Sequence, residues 1–310
     1  MISFFLLCLP VFGIVALGWI AIRLRLVQSS ALDILGGFSF RFALPALVLR
    51  LIGHEPLGNL FQPLFFAGYL ASGCLMFALT FGVFRKIQHQ SRARAGARAT
   101  TSTVSNLGFL GPPIVLAFFG PRGAAPLAMA IVSEVMILMA IGAVVMADAE
   151  GDDRRIGKFL LRGTVGNPVI VAIALGAGIA AVGLPLPIAL DRFLSLLRAA
   201  AAPTALFAVG GALAILRIDF SNALVATGIT VVKLVLYPLT VWCLLTHILD
   251  VGLFWSSAGT LIATLPSASS NFALAQRYTD DAERISAGIV LTTLVSVVTV
   301  PLAGWLLVHS

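Results

Sequence analysis

Long apolar runs recur along the whole sequence, and each is long enough to cross a lipid bilayer as a helix. The mean hydropathy is +1.04, and only 11% of residues are charged. A soluble domain would carry about twice that share of charge. The sequence therefore predicts an all-α polytopic membrane protein with ten transmembrane helices, at 2–22, 32–52, 60–84, 99–120, 123–147, 164–184, 193–216, 221–246, 254–277 and 284–308.

Basic residues are distributed unevenly between alternate loops of these spans. One set holds fourteen Lys and Arg residues: Arg23, Arg25, Arg85, Lys86, Arg92, Arg94, Arg98, Arg154, Arg155, Lys158, Arg162, Arg217, Arg277 and Arg284. The other set holds four: Arg50, Arg122, Arg192 and Arg198. Positive charge marks the cytoplasmic side, so we expect both termini outside, in the plasma membrane of a bacterium, the inner membrane. A single cysteine in place of Arg94 should then react with an impermeant thiol reagent only in opened cells.

The most polar connection divides the chain near its middle. Pro10 and Pro168 are 158 residues apart, as are Pro45 and Pro203. The spacing predicts a first repeat at 1–150, a cytoplasmic linker at 151–163 and a second repeat at 164–310. Five spans per repeat is an odd number, so the second repeat must enter the membrane inverted, as in many secondary transporters.

The fourth and ninth spans carry matched interruptions, "TVSNLGFLGPP" at 103–113 and "LPSASSNFALA" at 265–275. Irregular backbone at membrane depth persists only where protein or a water-filled cavity surrounds it. Each second half-helix would then present its positive N-terminus near the midplane, where it favours an anion. The alternative is that the Gly and Pro residues only kink two continuous transmembrane helices. The candidate binding residues are Asn106, Gly108, Gly111 and Pro112 in the first break, and Pro266, Ser269, Ser270 and Asn271 in the second.

Three stretches resemble one known family: "SNLGFLGPPIVLAFFG", "FALPALVL" and the C-terminal run "LPSASSNFALAQRYTDDAERISAGIVLTTLVSVVTVPL". They are similar to the auxin efflux carriers in their bacterial branch, which includes proteins named as malonate transporters. The resemblance implies two inverted five-helix repeats whose broken fourth and ninth helices cross at the substrate site. It places that site at Asn106, Gly108, Gly111, Pro112, Pro266, Ser270 and Asn271. The chain lacks the long central hydrophilic loop of the plant carriers, which counts against auxin itself as the substrate.

Several polar residues fall inside the predicted spans. Glu134 lies near the middle of the fifth, and an ionisable residue there is a functional hypothesis by default. It can load a proton for ion coupling, or it can form a structural pair with Lys233 in the eighth span. Thr292 lies 158 residues after Glu134. Arg41 can meet an anionic substrate, pair within the helix bundle or extend to the membrane surface.

These observations favour a secondary active carrier of a small organic anion, a mono- or dicarboxylate, that works by alternating access. A channel-like or uniport facilitator, or a sodium-coupled carrier of another amphipathic solute, is the alternative. The sequence shows no metal-ligand cluster, nucleotide fingerprint or nucleophile–base arrangement, so we expect no enzyme, no cofactor, no metal and no nucleic-acid partner. Coupling to H⁺ or Na⁺, and the formation of a homodimer, stay open.

Overall fold

A computed structural model describes residues 2–147, 166–183, 185–215 and 223–309. The predicted linker at 151–163 lies outside these residues. The labelled helices are α1 Ile2–Arg23, α2 Ser30–Gly53, α3 Pro63–Ile87, α4 Arg92–Thr103, α5 Gly111–Phe119, α6 Ala124–Met146, α7 Pro168–Val182, α8 Ile188–Ile215, α9 Ala223–Ile248, α10 Leu253–Ala263, α11 Ser270–Tyr278 and α12 Ala282–His309. A short helix, Leu57–Leu60, precedes α3.

Among the described residues, seven helical stretches are long and apolar enough to span a membrane. The chain is therefore an integral membrane protein, as its hydropathy predicts. One of the seven, Gly111–Met146, contains both α5 and α6. These two helices pack against each other, and the chain turns between them at Gly120, where φ is +61°. The count of ten spans and the inverted repeat stay predictions.

Three of the predicted spans correspond to helices that are shorter than a full span. The fourth is divided between α4 and α5, and the ninth between α10 and α11, at the two interrupted stretches. The sixth is represented by α7, an apolar helix of 15 residues. The helix α4 begins at Arg92, before the start predicted for the fourth span at residue 99, and its first turns are too polar for hydropathy to detect.

The helices pack into two groups. In the first group α1 packs on α8, and α2 packs on α7 and α8. The backbones of α1 and α8 are in close contact. A Cβ atom added to Gly18 would lie 2.2 Å from the carbonyl oxygen of Phe207. A Cβ atom added to Gly210 would lie 1.9 Å from the carbonyl oxygen of Val15. Glycine at both positions permits this contact. The second group contains α3 to α6 and α9 to α12, and it meets the first where α1 contacts α5 and α12, and where α2 contacts α6.

The two interrupted stretches lie against each other. Ser105 and Ser267 form an antiparallel β-bridge. The Asn106 N–H donates to the Pro266 carbonyl over 2.8 Å, and the Ala268 N–H donates to the Val104 carbonyl over 3.1 Å. Each break therefore satisfies backbone groups of the other, as irregular backbone inside a helix bundle requires.

An ion-pair cluster joins the start of α4 to the turn between α11 and α12. Arg98 Nε lies 2.7 Å from Asp281 Oδ2, and both side chains are buried. Arg284 Nη1 also donates to Asp281, over 2.8 Å. The neighbouring pair, Arg94 and Asp280, is exposed. The hydrogen bond from Arg94 lowers the pKa of Asp280 to about 2, so this carboxylate stays charged at ordinary pH.

We predict that Asp281→Asn destabilises the protein far more than Asp280→Asn. The first change leaves the buried Arg98 guanidinium without its counter-charge, which costs about 3–5 kcal/mol. The second removes only an exposed, solvent-screened pair. Melting temperatures of the two purified variants, compared with the unmodified protein, test this, and an equal loss in both would contradict it.

Candidate functional site

The sequence forces both broken helices to stop and restart. In the first break, α4 ends at Thr103, Val104 is extended, and Pro112 and Pro113 occupy the first turn of α5, where proline needs no N–H donor. In the second, α10 ends at Ala263 and α11 starts at Ser270. The side chain of Ser269, which precedes α11, makes no capping hydrogen bond. The Asn271 and Phe272 N–H groups at this end donate instead to the Ala268 and Ser269 carbonyls, each over 3.1 Å.

A cavity of about 280 Å³ lies beside the paired breaks. Residues of both breaks line it, together with residues of α2, α6 and the start of α7. No lining residue in the described part of the chain is charged. They are Phe40, Val104, Ser105, Asn106, Leu107, Gly108, Phe109, Ile131, Val135, Met136, Met139, Ala140, Asn167, Val169, Ala268, Ser269 and Ser270. A charged ligand here would meet only amides, hydroxyls, helix termini and apolar surface.

The two asparagines named from the sequence have different environments. Asn106 lines the cavity, and its Oδ1 accepts the Phe109 N–H over 3.3 Å. Its Nδ2 has no hydrogen-bond partner among the described residues, which leaves a donor for a ligand. Asn271 is buried, and its Nδ2 donates to the Val104 carbonyl over 3.3 Å. Asn271 thus ties one break to the other, while its Oδ1 has no partner in the described residues.

The other predicted site residues also differ in whether they line the cavity. Gly108, Ser269 and Ser270 line the cavity with Asn106. Pro266 acts through its backbone carbonyl, which receives the Asn106 N–H. The remaining residues of the first break face elsewhere: Pro112 contacts a separate small void between α2 and α6, and Gly111 packs close to Leu127.

Arg41 does not line the cavity. It lies in a π-helical turn of α2, Ser39–Ala43, and it is exposed on the outer surface of the bundle. Its neighbour Phe40 lines the cavity instead. The structure therefore brings an aromatic ring, and not the guanidinium, to the cavity wall.

A buried polar cluster lies directly behind the cavity, centred on Glu134. The carboxylate accepts hydrogen bonds from the Tyr69 hydroxyl over 2.6 Å and from the Tyr237 hydroxyl over 3.1 Å. It also accepts the backbone N–H of Ser105 over 2.5 Å and the Ser105 hydroxyl over 3.0 Å. Four donors thus converge on one carboxylate at full burial.

Lys233 completes this cluster through Ser105. Its Nζ donates to the Ser105 hydroxyl over 2.8 Å and to the Ala263 carbonyl over 2.7 Å. Ala263 is the last residue of α10, so the ammonium group lies at the negative end of that helix. The predicted association of Lys233 with Glu134 is therefore mediated by Ser105, which lies between the two charges. Both ionisable residues lie in π-helical turns, which often mark functional sites.

Glu134 and Thr292 occupy corresponding places at the two breaks. Glu134 accepts the N–H of Ser105, and Thr292 Oγ1 accepts the N–H of Ser267 over 3.3 Å. Ser105 and Ser267 are the two residues of the β-bridge. One side chain from α6 and one from α12 therefore support the two breaks in the same manner.

Sequence reasoning missed four residues of the site: Ser105 as the link between charges, Tyr69 and Tyr237 as carboxylate donors, and Asn167 in the cavity wall. Tyrosine within an apolar span was a detectable signal, because a buried hydroxyl needs a partner. The Asn-Pro pair at the start of the sixth span was a second signal, since it is typical of a helix N-terminus.

Comparison with known proteins identifies the family of this chain. The model of the family described as "Membrane transport protein" matches residues 3–303. The chain belongs to this family, the auxin efflux carriers. It is 30% identical, over 95% of its length and 92% of the relative's, to a Rhizobium meliloti (strain 1021) protein named "Putative malonate transporter".

Two further family relatives are more distant. The chain is 28% identical to "Uncharacterized transporter YfdV" of Escherichia coli (strain K12), over 74% of this chain and 73% of that protein. It is 26% identical to the mouse "Lysosomal cholesterol signaling protein" over 96% of this chain, but over only 37% of the mouse protein. The family and the names of the two bacterial relatives point to a membrane transporter, as the sequence predicts.

We predict that Glu134→Gln destabilises this carrier-family protein by about 3–5 kcal/mol, because it leaves the buried Lys233 ammonium without a counter-charge. Lys233→Met in the same molecule should recover part of the loss. Thr292→Val is the matched control, because it removes the corresponding neutral acceptor at the other break and should cost only about 1–3 kcal/mol. Melting temperatures of the single and double variants measure this coupling, and strictly additive losses would contradict it.

Proposed function

We propose that the protein is a secondary active carrier that moves a small organic anion, a carboxylate, by alternating access around the cavity at the paired breaks. One observation carries the proposal: none of the described residues that line the cavity is charged, yet the wall carries the unpaired Asn106 amide and the hydroxyls of Ser269 and Ser270 at the start of α11. Such groups stabilise an anion without binding it too tightly for release.

The donors on the cavity wall suit a carboxylate. Asn106 offers its Nδ2 from one break. Ser269 and Ser270 offer hydroxyls from the other, and neither has a hydrogen-bond partner among the described residues. These groups come from both broken helices, so a ligand that accepts hydrogen bonds from all of them would hold the two breaks together. Phe40, Val135 and Met139 supply apolar surface for a short carbon skeleton.

We extend the proposal to the architecture, with ten spans in two inverted repeats. The repeated proline spacing, the bridge between Ser105 and Ser267, and the matched roles of Glu134 and Thr292 support this symmetry. The loop charges support external termini in the bacterial inner membrane. The name of the Rhizobium relative supports a carboxylate as the transported solute.

A structural role for Glu134 is favoured over proton loading. Its carboxylate already receives four hydrogen bonds and lies one hydroxyl away from the Lys233 ammonium. Protonation would turn one of these acceptor oxygens into a donor and would remove the negative charge that faces Lys233. We therefore propose that the pair holds the breaks in register. Proton-coupled accumulation that is abolished in a stably folded Glu134→Gln protein would reverse this assignment.

We predict that Asn106→Ala lowers carboxylate counterflow in proteoliposomes by about tenfold or more, since a hydrogen bond to a charged ligand contributes about 1.5–3 kcal/mol. Ser102→Ala is the matched control: it removes a buried hydroxyl from α4 that does not line the cavity, and it should transport normally. Saturable counterflow in the unmodified protein would also distinguish a carrier from a channel. Full transport by Asn106→Ala would remove the support for this site.

A further inference from the structure

A groove of about 630 Å³ lies between α3 and α9 and shares no residue with the cavity beside the breaks. The described residues that line it belong to these two helices, except Gln88, which directly follows α3. Large apolar side chains on both walls are exposed, such as Leu79 and Leu239, each at 54%. Both helices are long and apolar enough to span a membrane, so the groove opens toward the lipid.

Gly228 leaves space in the wall that α9 contributes. A Cβ atom added to it would meet no atom of a neighbouring helix within 4 Å in the described part of the chain, and its φ is not positive. Close packing therefore does not require glycine here, in contrast to Gly18 and Gly210. Glycine is unfavourable inside a helix, and its effect at this position is to keep the groove open.

Three π-helical turns border the groove. Val83–Ile87 ends α3, while Val232–Leu236 and Leu244–Ile248 lie in α9, and each of the three contributes residues to the walls. Such turns are rare and occur often at functional sites. The turn at Val232–Leu236 also carries Lys233, whose Nζ contacts Ser105 of the first break. One turn of α9 therefore contributes both to the groove and to the polar cluster.

The helices that form the groove are antiparallel. Gly68, early in α3, lies against Leu245, late in α9. Further along α3, the Met76 sulfur accepts the Thr240 hydroxyl over 3.3 Å. The end of α3 therefore lies beside the start of α9, and both mark the same end of the groove.

Positive charge lies at this end. Arg85 and Lys86 occupy the last turn of α3, and both are exposed. Arg85 Nη1 donates to the Gln90 carbonyl over 2.9 Å, and Lys86 has no ion-pair partner among the described residues. The opposite end of the groove carries the exposed carboxylate of Asp250, just after α9. The loop charges predict that the basic end is cytoplasmic, where anionic lipids make the membrane surface negative.

We propose that this groove binds one anionic phospholipid, with its phosphate at Arg85 and Lys86 and an acyl chain between α3 and α9. Lipid tails are as apolar as the groove walls, so the walls contribute close packing of the chain and the basic residues contribute the preference for negative charge. The bound chain packs against the turn that carries Lys233, and so the lipid supports the helix that positions the polar cluster. This site is independent of the substrate of the cavity.

Lipid titrations of the purified full-length protein in detergent, followed by native mass spectrometry, test this. The probes are phosphatidylglycerol and phosphatidylcholine with the same acyl chains. The unmodified protein should bind its first phosphatidylglycerol at least about fivefold more tightly, since one Lys or Arg near a membrane surface contributes about that factor. Arg85→Gln with Lys86→Gln should lose this preference and keep the affinity for phosphatidylcholine. Gly228→Trp fills the groove and should weaken the binding of both lipids.

Two matched controls should bind lipid as the unmodified protein does. Gly178→Trp places the same side chain at an open glycine of α7, and Arg23→Gln with Arg25→Gln removes the same charge from the end of α1. Melting temperatures without added lipid check that each variant is folded, and the comparison of the two lipids in the unmodified protein needs no variant.

Three results would overturn the proposal. The first is equal affinity for the two lipids in the unmodified protein. The second is a loss of binding in the controls as large as in the groove variants. The third is a dimer mass that Gly228→Trp abolishes, because a second copy of the chain would then occupy this face in place of the lipid.

Discussion

Backbone hydrogen bonding at membrane depth is the constraint on which the rest of this structure depends. Two helices stop inside the bundle, and a peptide group left unpaired in hydrocarbon costs several kcal/mol. The breaks meet this requirement together, because each donates a backbone N–H to a carbonyl of the other. Ser267 Oγ adds a bond to the Thr101 carbonyl over 2.7 Å. The two half-helix pairs are therefore joined into one unit, and Asn106, Ser269 and Ser270 of that unit line the cavity.

The charged residues Glu134 and Lys233 lie behind the cavity and are not among the described residues that line it. Lys233 compensates the negative C-terminal end of α10 at Ala263, and Glu134 binds the Ser105 N–H in the opposite break. Ser105 joins both charges. Because Glu134 and Lys233 are both hydrogen-bonded within the protein, the cavity wall can carry hydrogen-bond donors without a net charge. This division allows the break geometry to persist whether or not an anion is bound.

The parts of this account that were predictable from sequence depend on local chemistry. The interruptions at 103–113 and 265–275, the placement of Asn106, Ser269 and Ser270, and the proximity of Glu134 to Lys233 follow from Gly, Pro and charge where an apolar helix should continue. Hydropathy predicts ten spans, and at the fourth, sixth and ninth of them the structure has helices shorter than a full span. It does not detect the first turns of α4, because that helix has a polar composition and is buried by its neighbours.

The parts that were not predictable depend on which side of a helix faces inward. Arg41 and Phe40 are adjacent, and only tertiary packing decides that the ring reaches the cavity while the guanidinium faces outward. The role of Asn271 as a tie between the breaks, and the place of Asn167 in the cavity wall, likewise require knowing which elements meet. Ser105 gains its role only when α6, α9 and the second break converge on it.

The central claim is that the Asn106 side chain on a neutral cavity wall holds the carboxylate. Solid-state NMR of proteoliposomes tests it most directly, with ¹³C-carboxyl malonate bound to protein labelled with ¹⁵N at the asparagine side chains. The account predicts dipolar dephasing that corresponds to a carbon–nitrogen separation of about 4 Å, as expected for a direct hydrogen bond, and a weaker signal in Asn106→Asp. Bound malonate that shows no dephasing by asparagine nitrogen would contradict it.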